Sequence, residues 1–208
     1  ADSGVRLITL SSTSVYGTQA DLVDEDCTEE ELQPQSPYAV TKLKEEGLVQ
    51  QLVKDRGLRA SIFRFGTIFG VSPGMRFHTA VNKFCWQAAM GQPITVWTTA
   101  YDQKRPYLDL GDACSAIAHI IKNDLFDGRV YNVLSLNATV REVVDTILRF
   151  VPNLEVQFVD SKIMNQMSYE VSGKRFCETG FKSIASLSAS IKEEIGLLSN
   201  GEIIETPL

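Results

Sequence analysis

Short apolar runs alternate with amphipathic stretches along this chain. "VRLITLSS" (5–12) is a β-branched, apolar run ending in hydroxyls, the pattern of a buried parallel strand whose carboxyl end opens onto a site. Residues 18–35 are rich in Asp, Glu and Gln and read as a solvated loop. Ser36 is then an N-cap with Pro37 in the first helical position, and the helix runs to about Asp55, where Gly57 closes it. "RASIFRFGTIFG" (59–70) is a second buried strand, running into the Gly/Pro loop "GVSPGM". Strand, helix and strand in this order predict a parallel sheet with helices packed on it.

Downstream, "FHTAVNKFCWQAAM" (77–90) has apolar positions at helical spacing and is ended by Gly91 and Pro93. "PITVW" reads as a short strand and "TTAYDQ" as a polar turn. Asp112 is placed to cap "ACSAIAHIIKN" as a largely buried helix; "RVYNVL" is another strand, and Thr139 opens the helix "VREVVDTILRF". "LEVQFVD" alternates as a strand, and the chain closes with "SLSASIKEEIGLL" as the helix of a smaller lobe. The pattern contains no internal repeat.

Composition narrows the function classes. With 208 residues, 44% of them hydrophobic, the chain is long enough for a sizeable core. A net charge of -6 and the lack of any Lys/Arg cluster argue against a nucleic-acid partner. Cys27, Cys85, Cys114 and Cys177 show no C-x-x-C spacing, and only His78 and His119 add imidazoles, so neither a metal site nor a disulfide framework is indicated. No run approaches the roughly 18 apolar residues of a membrane span, and the first residues lack a signal-peptide layout. The expectation is a cytoplasmic protein with reduced thiols and no membrane partner.

The candidate chemistry centres on "SPYAVTK" (36–42). Tyr38 and Lys42 are i and i+4 on the predicted helix, so their side chains are neighbours on one face. A phenol is a poor base near neutrality, but an adjacent ammonium favours the phenolate, and such a pair can take a proton from a sugar or alcohol hydroxyl. Alone, the spacing fits two surface residues equally well. "LSSTSVYG" (10–17) adds hydroxyls at Ser11, Ser12, Thr13 and Ser14 where the first strand ends, and strand ends are where open α/β sheets hold their ligands. Turn chemistry accounts for such a run as well.

Taken together, "SSTSVYG", "SPYAVTK", "FRFGTIFG" followed by "SPGMRF", "KRPYLDLGDA", "VYNVL" and "TVREVVDTI" resemble the extended short-chain dehydrogenase/reductases, in particular the NAD(P)-dependent nucleotide-sugar epimerase/dehydratase group. They stand in that family's order and cover nearly the whole chain. The resemblance implies a Rossmann-like, doubly wound parallel sheet to which residues 1–70 contribute. Residues 71–208 would then form mainly a smaller α+β substrate lobe, with some elements returning to the sheet. It implies NAD or NADP as cofactor, a nucleotide-sugar substrate and a homodimer formed through the Tyr38 helix.

It also implies roles. Tyr38 would be the acid/base, and Lys42 would hold the nicotinamide ribose. Ser12 would bond the reacting oxygen, and Ser11 and Phe65 would border the cofactor. Thr13, Thr67, Arg76, Asn82 and Arg105 would bind substrate, Arg105 by clamping the diphosphate, for which a planar guanidinium is apt. Arg64 and Phe65 equally fit simple packing at a strand end, Arg105 a surface ion pair, and Asn82 or His78 a solvated helix face.

Two departures from the family pattern matter. Dehydratases of the group carry an Asp-Glu pair after the active-site hydroxyl, where this chain has Thr13 and Ser14, so the resemblance favours an epimerase or reductase. No G-x-x-G-x-x-G occurs in the 208 residues. The expectation is therefore a portion of a longer protein that lacks about a hundred residues of the first nucleotide-binding half, leaves an apolar sheet edge exposed and binds little NAD by itself. The rival expectation is a non-catalytic binding protein built on the same fold.

Overall fold

A computed structural model describes residues 4–17, 22–28, 30–160 and 168–199. In chain order the strands and helices are β1 (Arg6–Ser12), β2 (Leu22–Val23), α1 (Pro37–Arg56), β3 (Arg59–Phe65), β4 (Thr67–Phe69), α2 (Ala80–Ala89), β5 (Ile94–Trp97), β6 (Lys104–Asp109) and α3 (Leu110–Lys122). They continue with β7 (Val130–Val133), β8 (Leu136–Thr139), α4 (Val140–Leu148), β9 (Val156–Val159), β10 (Glu170–Val171), α5 (Lys174–Cys177) and α6 (Leu187–Leu198). Among these no helix is long and apolar enough to cross a membrane.

The first sheet has the order β1-β3-β7 and is parallel throughout, with Arg6–Ser12 in register against Arg59–Phe65. β3 is buried from Ala60 to Phe65, as a central strand covered on both faces must be. β1 forms the sheet's edge among the described residues and leaves Leu7 and Leu10 exposed. The crossover helix α1 is delimited as its sequence predicts. Ser36 accepts the Ala39 N–H, Pro37 opens the helix, and Gly57 in the left-handed region closes it on the Leu52 and Val53 carbonyls. At α4 the Thr139 and Glu142 side chains form a reciprocal capping box.

Three expectations need correction. The run 59–70 is two strands. β3 ends at Phe65, and β4 joins a different sheet of order β4-β6-β8, parallel to β6, which in turn is antiparallel to β8. The break falls at Gly66, whose N–H bonds the Val133 carbonyl at 2.9 Å while its Cα faces the Pro106 backbone so closely that a Cβ would lie 3.0 Å from the Pro106 carbonyl oxygen. Asp112 is not the cap of α3. The helix begins earlier, with Asp109 accepting the Gly111 N–H at 2.7 Å, because β6 runs directly into it.

Asp112 is buried in the first turn and accepts from the Ser135 and Ser183 hydroxyls and the Ile184 and Ala185 N–H groups. Burial alone would raise its pKa; these donors outweigh that and hold it below the ordinary carboxylate value. The stretch 18–35 is not simply solvated either. Val23 is buried in β2, which pairs with β10, and the buried Glu25 carboxylate accepts the Asn132 N–H at 2.6 Å. Residues 18–21 and 29 of that stretch lie outside the described residues.

Two main cores result. Phe63, Phe65, Leu108, Ala116, Ile120, Tyr131 and Phe176 fill the space between the first sheet, α3 and α5. Phe69, Phe84, Val96, Val143, Ile147 and Ile191 fill that between the second sheet and α2, α4 and α6. The carboxyl ends of β1, β3 and β4 open between them.

Candidate active site

The site is assembled where β1 and β3 end and α1 begins. Ser12 caps a 3-10 turn (Thr13–Tyr16), its Oγ accepting the Ser14 N–H at 3.2 Å. That bond uses an acceptor lone pair and leaves the Ser12 hydroxyl proton to donate elsewhere. Tyr38 stands in the first turn of α1, 57% exposed. Lys42 follows one turn later with its Nζ 5.9 Å from the centre of the Tyr38 ring and 2.8 Å from Glu45 Oε2.

A cavity of about 650 Å³ lies before them, and every candidate residue except Thr13 and Arg105 lines it: Ser11, Ser12, Tyr38, Lys42, Phe65, Thr67, Arg76 and Asn82. Phe65 offers an apolar wall at the end of β3, while Arg76 is exposed at the rim. Asn82 is buried, not solvated, with Oδ1 3.4 Å from the Gly70 N–H. Ser11 is buried too, and its hydroxyl donates to Glu46. Thr13 turns inward, its Oγ1 3.3 Å from both the Phe65 carbonyl and the Tyr169 hydroxyl, so the structure does not bring it to the cavity.

Arg105 lines a neighbouring cavity of about 320 Å³ with Lys83, Trp97 and Tyr107, and Thr67 and Thr79 line both, so the two spaces adjoin. It is not in a surface ion pair among the described residues. Its Nη2 lies 3.3 Å from Gln103 Oε1, and its Nε is buried with no hydrogen-bond partner among them. A buried guanidinium N–H without an acceptor is costly. Among the described residues no group of three or more Asp, Glu, His or Cys is arranged to hold a metal ion.

Sequence reasoning missed what fixes α1. Glu46, two turns beyond Tyr38, accepts the Arg64 Nε N–H shared between its two carboxylate oxygens, one bond from Arg64 Nη2 at 2.7 Å and the Ser11 hydroxyl. Arg64 Nη1 donates to the Tyr16 hydroxyl at 2.9 Å, which donates in turn to Asn132 Oδ1. Burial works against the Arg64 charge, but Glu46 and Tyr16 more than restore it, and burial pushes the Tyr16 phenol up to about 12. The network ties α1, β1, β3 and β7 together beneath the cavity. The available signal was an arginine inside an otherwise apolar strand, which needs a buried partner.

Residues 1–133 match the model of the NAD dependent epimerase/dehydratase family. The chain belongs to that family. A Bacillus subtilis relative, described as the uncharacterized UDP-glucose epimerase YtcB, is 30% identical over 140 residues, covering 66% of this chain and 42% of that protein. This chain thus spans about two fifths of that relative's length.

UDP-glucuronic acid 4-epimerase from Bacillus cereus, solved with UDP-glucuronic acid and NAD, superposes with a TM-score of 0.82 at 22% identity, covering 94% of this chain and 62% of that one. RMD from Pseudomonas aeruginosa, solved with NADPH, gives 0.77 at 26% identity, covering 94% and 67%. This family member therefore has a Rossmann-like α/β fold.

Proposed function

We propose that this chain supplies the proton-transfer helix and the substrate cavity of an NAD(P)-dependent nucleotide-sugar epimerase or a related sugar oxidoreductase. The observation that carries this reading is the convergence of Ser12, Tyr38 and Lys42 on one cavity that adjoins a second one containing the unsatisfied Arg105. One end has the groups for proton transfer, and the other has a cation suited to a diphosphate.

The residues present fit the nicotinamide-ribose end of the cofactor. Phe65 gives an apolar wall for the ring, and Lys42, with one N–H donated to Glu45, has two left for ribose hydroxyls. The chemistry that bound NAD(P) would supply there is reversible hydride exchange with a sugar carbon. Tyr38 takes the proton from the hydroxyl on that carbon and gives it back, and the free Ser12 O–H donates to the same oxygen. Arg105 and Asn82 hold the bound nucleotide sugar in place. Residues 1–70 serve the cofactor and residues 71–208 mainly the nucleotide sugar.

No carboxylate lines either cavity among the described residues, and Thr13 is occupied inside the fold. Water loss needs such an acid/base group, so these features support epimerisation or reduction over dehydration. The test is a panel of nucleotide sugars incubated with the complete protein and NAD or NADP, with products resolved by NMR. Inversion at one sugar carbon or a redox change in the sugar is the expected result. Neither change with any member, or loss of water, would refute the reading.

A further inference from the structure

A buried carboxyl group on α6 is bonded to a backbone N–H in the wall of the substrate cavity. Glu194 is fully buried, and its Oε1 accepts the Gly70 N–H at 2.6 Å. Gly70 directly follows β4, lines the cavity and has a φ of +113°, a conformation that side chains rarely adopt. The same N–H lies 3.4 Å from Asn82 Oδ1, so one donor faces two acceptors and the shorter bond dominates.

Asn82 lines the cavity as well, and Cys85, three residues further along α2, contacts the Glu194 carboxyl. A second link runs parallel. Ser190, one turn before Glu194 on α6, donates from its hydroxyl to Asp109 Oδ2 at 2.6 Å, beside the same turn.

Burying a carboxyl group costs free energy that an apolar side chain of similar size would not, so packing alone does not explain Glu194. The bond to Gly70 does. Without it, the Gly70 N–H would have Asn82 as its remaining acceptor, and the carboxamide would be drawn onto the backbone and away from a ligand. We propose that Glu194 is a positioning residue for the nucleotide-sugar site: by accepting the Gly70 N–H it leaves the Asn82 carboxamide available to the polar groups of the bound substrate. The inference rests on the cavity being the nucleotide-sugar site.

The test is a double-mutant cycle in the complete protein, read as calorimetric affinity for UDP, dTDP and GDP and as KM and kcat for the substrate. Glu194→Met should weaken nucleotide binding and raise KM about tenfold, the scale of one misdirected hydrogen bond, with kcat nearly unchanged. Glu194→Gln keeps an acceptor oxygen and should stay within about twofold of wild type. On an Asn82→Ala background, Glu194→Met should add nothing further.

Wild-type affinity in Glu194→Met, losses that multiply across the cycle, or a Glu194→Gln as weak as Glu194→Met would each overturn the proposal. Hydrogen exchange at the Gly70 amide provides a readout independent of the Met variant. Protection should persist in Asn82→Ala, and its loss there would show that Glu194 is not the governing acceptor. A wild-type protein that binds none of the three nucleotides would overturn the reading of the cavity itself, and this inference with it.

Discussion

Tyr38 owes its position to its neighbours: it is more than half exposed, and the groups around it are fixed by bonds it does not make. That Tyr38 and Lys42 share a helix face and that Ser12 ends a strand was legible in the sequence because i,i+4 spacing and a strand end are local features. Arg105 was legible only by resemblance, and its buried, unsatisfied Nε makes it the sharper target. Arg105→Lys should raise KM for the nucleotide sugar about tenfold with little change in kcat, because an ammonium cannot reproduce the planar fork on a diphosphate. Steady-state kinetics would show it, and an unchanged KM would remove Arg105 from the site.

Glu194 was illegible for a physical reason: its partner Gly70 lies 124 positions away, and nothing in the helical pattern of 186–198 marks one glutamate as buried. It also gives a pH dependence. Burial raises its pKa above the ordinary 4.5, with Cys85, Gly70, Asp109 and Glu193 as smaller influences. The folded protein therefore holds this proton more tightly than the unfolded chain does. The associated stability is full below the ordinary carboxylate value and is lost as pH rises through the folded value. Glu194→Gln, which cannot ionise, should gain on wild type across that window and hold a constant advantage above it, as denaturant midpoints against pH would report.

At the scale of elements, α1 was the most legible because its signals are contiguous: Ser36 and Pro37 at one end, Gly57 at the other. Its attachment was not, since Arg64 in its apolar strand calls for a buried partner without naming one, and Glu46 looks like an ordinary surface charge until the fold buries both. Removing one partner of a buried pair strands the other, so Glu46→Ala should cost about 3–5 kcal/mol in chemical denaturation. A cost of only a few tenths would mean that the pair does not anchor the helix. β6 escaped detection because Pro106 interrupts its pattern, yet the strand tolerates it. The division of 59–70 at Gly66 was hidden for a related reason, since the Pro106 backbone that crowds this position comes from forty residues downstream.

At the scale of the molecule, two adjoining cavities sit where a parallel sheet and a mixed sheet open toward each other, and residues from β1, α1, β3, α2 and β6 meet around them. The fold class was readable because strand-helix-strand alternation leaves few architectures. The joining of the cavities through Thr67 and Thr79 was not readable, because it depends on how the two cores pack. Tyr38 is the group proposed to move the proton in a nucleotide-sugar redox reaction. The most direct measurement is turnover of the complete protein with its nucleotide sugar, wild type against Tyr38→Phe, with nucleotide affinity measured on the same samples. Turnover should fall on the order of 10²–10⁴-fold with nucleotide affinity retained; turnover near that of wild type would contradict the account.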